Sequence, residues 1–234
     1  MAVLNRSCRS FILLLLFWGA PVSAGEAEWK TLFDQANLHL QRGSIEQAEL
    51  FAREAIAEAE RSFSRSSRPV DQSIATLGLV LRFAQRYPES EKELRRALAL
   101  REKSLGPRDP AVGILLNNLA DVVQAQKKYA EAEKLHRRVL AIFEKTYGDD
   151  PKTAASLNNL GSVLQAQGRN AEAEPVLRRS LAMKEKTLGP DNASVAHTLN
   201  NLAQVLEALG RKSEAAPLAA RAAAIHQRGT APAR

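Results

Sequence analysis

Six side-chain amides present the clearest recognition chemistry in this chain. Asn117 and Asn118, Asn158 and Asn159, and Asn200 and Asn201 each sit in the pattern Leu-Asn-Asn-Leu followed by Ala or Gly, at 116–120, 157–161 and 199–203. A primary amide donates and accepts hydrogen bonds at once, so it can hold a peptide backbone or another amide. Groups for covalent or metal chemistry lack the spacing such chemistry needs. His39, His136, His197 and His226 show no His-Glu-x-x-His spacing and no pairing on one helix face. Ser162 follows Gly161 without the flanking residues of a hydrolase elbow. No catalytic residue, metal site or cofactor is therefore expected, and His39 and His136 read as packed side chains.

The amides recur at a fixed interval, which identifies what must position them. From Asn118 to Asn159 is 41 residues and from Asn159 to Asn201 is 42. A period in this range marks a repeat architecture. The small residue closing each pattern is Ala120, Gly161 and Ala203, and the same interval reaches back to Gly78 and Ala36. Twelve residues after each stands a second small residue: Ala48, Ser90, Ala132, Ala173 and Ala215. Gly43, Gly168 and Gly210 mark a turn between the two, with Gln85 and Lys127 at that place in the other units. Five units result, at about 27–68, 69–110, 111–151, 152–193 and 194–227, within a solenoid over 25–227. Residues 228–234 are expected to form a disordered tail.

Each unit reads as two helices. Apolar residues recur at three- and four-residue steps, as in Leu115, Leu119 and Val122, then Ala132, Leu135, Val139 and Ile142. Small residues allow two helices to cross closely. Ser44 with Gln47 predicts a capping box. Runs such as Gly106-Pro107-Arg108-Asp109-Pro110 end one helix and cap the next. Gly148-Asp149-Asp150-Pro151 and Gly189-Pro190-Asp191-Asn192 repeat the device, whereas 62–69 has lost it. Pro175 and Pro217 are placed early in second helices, where a missing N–H costs least. A thin helix pair cannot bury its apolar face alone, so the pairs must stack.

The first 24 residues read as a leader outside this fold. Arg6 and Arg9 precede the apolar run 11–20, Pro21 breaks it, and Val22-Ser23-Ala24 suits cleavage before Gly25. Ten apolar residues fall short of the roughly 20 that span a bilayer; the competing reading is an uncleaved anchor. Cleavage removes two cations and no acid, taking the formal charge from +7 to +5, and also removes Cys8, the one cysteine. A thiol-free exported helical chain fits a periplasmic or secreted location, with no membrane span once the leader is gone.

Asn118-Leu119-Ala120, Tyr129, Ala132-Glu133 and Val139-Leu140 resemble a tetratricopeptide repeat. The period of 42 with Leu-Asn-Asn-Leu-Ala, Ala-Glu-Ala-Glu, Arg-Arg-x-Leu-Ala and Leu-Gly-Pro-Asp is similar to the kinesin-light-chain type. The resemblance covers about 27–227 and weakens in the first two units, where Phe33-Asp34 and Ala75-Thr76 replace the amides. It implies an all-α fold, a right-handed α-solenoid of five stacked helix-turn-helix units, whose first helices line a concave groove that grips an extended peptide. The matching residues are Asn117, Asn118, Asn158, Asn159, Asn200 and Asn201. Asp121, Gln124, Gln165, His197 and Gln204 lie nearby on the same helices. Asn inside a helix costs up to about 0.7 kcal/mol against Ala, so the amides need compensation. Gripping a peptide and bracing neighbouring helices both supply it.

The implied role is a non-catalytic scaffold for a protein or peptide partner. The alternative is a structural subunit of an envelope complex, joined through the solenoid ends. Arg95-Arg96, Arg137-Arg138 and Arg178-Arg179 invite a nucleic-acid reading. Glu91, Glu133 and Glu174 stand four residues before the first Arg of each pair, the spacing of an exposed helical ion pair. No aromatic residues interleave for base stacking, so nucleic acid is not an expected partner. The last helix, 213–227, is apolar nearly all round, which makes Leu218 and Ile225 candidates for self-association.

Overall fold

The computed structural model describes residues 24–65 and 67–230, without the side chains of 229 and 230. The leader therefore lies outside the described residues, apart from Ala24. Among the described residues there are ten α-helices and no strands. They are α1 (Ala24–Gln41), α2 (Ile45–Ser62), α3 (Arg68–Phe83), α4 (Tyr87–Leu105), α5 (Pro110–Ala125), α6 (Tyr129–Tyr147), α7 (Pro151–Ala166), α8 (Asn170–Leu188), α9 (Ala193–Ala208) and α10 (Lys212–Thr230). Each odd helix packs on the even helix that follows, and each even helix on the next odd one. The five pairs match the five units, although α10 runs through 228–230, where the sequence suggests a tail. None of these helices is long and apolar enough to cross a membrane.

Close packing inside a pair follows from the small residues. A Cβ on Gly161 would lie 2.5 Å from Leu177 Cγ, so α7 and α8 meet where only glycine fits. The turn between paired helices puts one residue in the left-handed region each time: Gly43, Gln85, Lys127, Gly168 and Gly210, at φ between 59° and 78°. Gln85 and Lys127 hold this conformation despite their Cβ atoms, which costs each on the order of 1 kcal/mol. Between pairs, Asp109, Asp150 and Asn192 accept from the backbone N–H of Ala111, Lys152 and Ser194 at 2.7, 2.8 and 2.8 Å. Ser67, at the degenerate first junction, makes no such bond.

Two local expectations fail. Ser44 is the N-cap of α2, but its side chain makes no capping bond. Pro175 and Pro217 stand at the sixth residues of α8 and α10, beyond the first turn, so each removes a bond the helix would otherwise make. Both prolines and the residues four before them, Ala171 and Ser213, are exposed, so water satisfies the freed carbonyls.

The core is a thin apolar spine along the stack, through Ile74, Leu116, Leu160 and Leu206. Ala36, Ala52, Leu77 and Leu81 continue it at the N-terminal end, and Val195, Leu199, Ala222 and Ile225 at the C-terminal end. Ile225 is thus interior to the last pair, and Leu218 is partly buried against the same cluster. Neither offers a free docking face, which corrects the expectation drawn from them. The exposed apolar residues of α10 are short, Ala216, Pro217, Ala220 and Ala223, and stand among the exposed polar Lys212, Glu214, His226 and Arg228.

Candidate peptide groove and the junctions that shape it

First helices of successive pairs approach one another directly, α1 with α3, α3 with α5 and α7 with α9, which sets them on the tighter, inner side of the stack. The amides lie on this side, all six half-buried. Asn159 donates from Nδ2 to Asn117 Oδ1 at 3.0 Å, and Asn201 donates to Asn158 Oδ1 at 3.1 Å. The first Asn of one unit therefore accepts from the second Asn of the next. Asn118 would need a partner at Ala75, and Asn200 would need a sixth unit; neither has a side-chain hydrogen bond. The six residues look equivalent in sequence and are not. Four brace neighbouring helices, and the two at the ends of the ladder keep their bonding capacity.

A second set of inner contacts runs one turn further along. Arg82 donates to Asp121 at 3.1 Å between α3 and α5. At corresponding positions Gln165 donates to Gln204 at 3.1 Å between α7 and α9. Burial raises the Asp121 carboxyl above its usual range, although Arg82 opposes the shift. Between these contacts the groove opens. A pocket of about 400 Å³ is lined by Asp121, Gln124, Ala125, Tyr129, Asn158, Asn159, Ser162 and Ala166. A smaller one of about 170 Å³ adjoins it through Asn159 and is lined by Ile114, Asn117, Asn118, Phe143, Lys152, Ala155 and Ser156. Ile114 is 51% exposed, an apolar side chain open to the groove. Six of the eleven expected site residues thus meet around these two pockets. Gln165, Gln204, Asn200 and Asn201 lie beyond them. His197 turns instead to α10, against His226.

One buried cation underlies the far end of this surface. Lys184 on α8 donates to Thr198 Oγ1 at 2.9 Å and Ser194 O at 3.1 Å, and Thr198 donates to Asn158 at 3.1 Å. Burial with only neutral acceptors lowers the Lys184 ammonium to about 8. Sequence reasoning missed this residue, because its position is taken by Arg101 and Phe143 in the two preceding pairs.

The outer helices hold the pairs in register by charge. Arg86, Lys128, Arg169 and Arg211 bind Glu49, Glu91, Glu133 and Glu174 of the preceding pair at 2.7, 2.8, 2.5 and 2.7 Å. Arg96, Arg138, Arg179 and Arg221 bind Glu60, Glu102, Glu144 and Glu185 in the same sense. Every one of the four junctions therefore carries at least these two ion pairs. Burial opposes the charge of Glu91, but hydrogen bonds from Lys128, Arg95 and Gln126 outweigh it and hold the carboxyl at about 2. The expected i,i+4 pairs are present too: Arg95–Glu91, Arg137–Glu133 and Arg178–Glu174 at 2.7, 2.8 and 2.9 Å. The second Arg of each tandem pair, which that spacing left unexplained, is the one that reaches back to the preceding pair.

The tetratricopeptide-repeat family model matches residues 71–145, 113–186 and 152–228. A search of curated proteins gives no match. Among solved structures, the kinesin-light-chain-type, nearly identical TPR-like repeats of Podosopora anserina superpose with a TM-score of 0.75 at 24% identity, covering 87% of this chain and 97% of that one. BtubC (BKLC) from P. vanneervenii gives 0.75 at 23% identity, covering 89% and 84%. Pseudomonas aeruginosa pilF gives 0.63 at 21%, covering 90% and 80%. At these identities the likeness establishes the fold. With the family model spanning well over half the chain and five stacked helix pairs on view, the chain belongs to the tetratricopeptide-repeat family.

Proposed function

We propose that this protein is an exported, non-catalytic scaffold that holds an extended segment of a protein partner along its inner face. The fold is one that serves protein–protein interaction. The observation that carries the finer reading is the pair of adjoining pockets around Asn159. They offer amide, carboxylate and hydroxyl groups from Asn118, Asp121, Gln124 and Ser162 beside the apolar Ile114 and Phe143. Amides suit a peptide backbone of any sequence, and an adjoining apolar recess takes a side chain. Export rests on the leader pattern, with mature protein starting at Gly25 and residing in a periplasm or outside the cell. An end-to-end structural subunit is the weaker reading, because the charge clamps stop at both ends of the stack.

A photo-crosslinker at Ser162 in the groove, compared with one at Ala99 on an outer helix, tests the site in the native envelope. The scaffold reading requires a discrete adduct from Ser162 and not from Ala99, diminished when Asn118 and Gln124 are both changed to Ala. Equal adducts from both faces, or capture unaffected by those changes, would remove the groove from the binding site. The intact mass of protein from the envelope fraction tests export separately.

A further inference from the structure

His197 on α9 and His226 on α10 meet edge to face, with ring centroids 5.6 Å apart and planes at 75°. Both residues are exposed. The corresponding residues of the three preceding pairs are drawn inward: Arg101 by Asp71 at 2.6 Å and Phe143 against Gly113 within their own pairs, and Lys184 by Thr198 of the following pair. His226 instead stands at the surface beside His197.

We propose that His197 and His226 together chelate a divalent transition-metal ion, clipping the last helix to its partner. Imidazole is a preferred ligand of Zn²⁺, Ni²⁺ and Cu²⁺. A metal–nitrogen bond of about 2.0–2.1 Å, with about 1.1 Å more to the ring centre, places two ligated rings roughly 5.2–5.6 Å apart at tetrahedral to trigonal angles. The observed separation meets that range, and both rings are exposed, so an ion from solvent can reach them. Among the described residues no third His, Cys, Asp or Glu joins them, so water fills the remaining positions and the site is open. The other histidines do not compete: His39 stacks on Phe51 at 5.3 Å and His136 is fully buried. An ion bound by the folded pair and not by the separated histidines of the unfolded chain raises the melting temperature.

The full chain, without a histidine tag, is titrated with ZnCl₂, NiCl₂ and CuCl₂ by calorimetry and melted at each concentration. The expected result is one ion per chain, a melting temperature that rises with metal, and affinity at least about tenfold weaker in His197→Ala and in His226→Ala. His39→Gln should bind as the parent does, and MgCl₂ should shift nothing, since Mg²⁺ seeks oxygen ligands. Unchanged affinity in His197→Ala, or no saturable binding at millimolar metal, overturns the site. Should His226→Ala loosen α10 by circular dichroism, His197→Gln on the inner helix decides alone.

Discussion

The joined faces and the terminal faces of this stack are built from the same positions and carry opposite instructions. At an interior junction one pair offers two glutamates and the next offers two cations. In the first pair the cation positions hold Ser44 and Glu54; in the last, the glutamate positions hold Ala216 and Gln227. Both ends thus lack the charges that would receive another pair. Solenoids need terminal units whose outer faces do not invite stacking, and here the change is made by substituting a few side chains while the helices stay the same. The inner amides follow the same logic, paired between units three to five and left with spare capacity at Asn118 and Asn200.

The interior should be fragile in ways the ends are not, and acid gives the largest effect. His136 is fully buried with no partner for either ring nitrogen, and burial lowers it to about 4. Between that value and about 6.5 the unfolded chain binds a proton that the folded one refuses, so stability falls as pH drops through this window. The expected loss across it is about 3 kcal/mol. His136→Leu should abolish that component while keeping the carboxylate losses below about pH 4, which both proteins share; denaturant melts of the two at several pH values measure the difference. Parallel curves would place the proton elsewhere.

Packing comes next. Gly161→Val forces a branched side chain onto Leu177 and should cost about 1–3 kcal/mol or more. Ala203→Val, the corresponding change in the last pair against Ala219, should cost clearly less. Thermal melts of the two variants rank them, and equal losses would mean that the interior crossing is no tighter than the end.

Backbone strain predicts gains of similar order. Gln85→Gly and Lys127→Gly relieve left-handed residues and should each raise stability by up to about 1 kcal/mol, whereas Gly168→Ala should lower it. The ion pair to Glu91 belongs to the neighbouring Lys128 and is untouched by this change, so a loss of stability in Lys127→Gly would show that the turn is not strained there. The smallest effect belongs to the charge clamps. Breaking one with Glu133→Gln should cost roughly 0.2–1 kcal/mol, and Ala216→Glu at the unpaired end should stay within about 0.5 kcal/mol. A double-mutant cycle on Glu133 and Arg169 isolates the pair; no coupling would reduce the clamps to incidental contacts.

Periodicity made most of the fold legible. The small residues and the Gly-Pro-Asp runs located all ten helices, because close crossings and capped junctions restrict which residue types can occupy them. Even Gln85 and Lys127 were placed at the correct turns by alignment alone. What spacing along the chain could not show was pairing across it. Whether Asn159 braces a neighbour or faces the groove depends on what Asn117 does 42 residues earlier. His197 and His226 share no helix, so no local pattern joins them. The alanine-rich last helix misled for a related reason: a run of short residues is apolar in every direction, and only its partner α9 decides that Ile225 turns inward and Ala220 outward.

The uniform junction has a consequence for how such a chain can change length. Unit three carries an acid for the unit after it and a cation for the unit before it, both at the shared register. A tandem duplication of 111–151 would therefore create a new boundary whose two faces already recognise each other, Lys128 and Arg138 of the second copy meeting Glu133 and Glu144 of the first. Growth by copying an inner segment would extend the inner surface by one step and leave both termini untouched. Copying an outer segment would place Ala216 or Ser44 inside the array and leave a boundary without its ionic latch. A copied middle unit is thus latched on both sides, and a copied end unit is not.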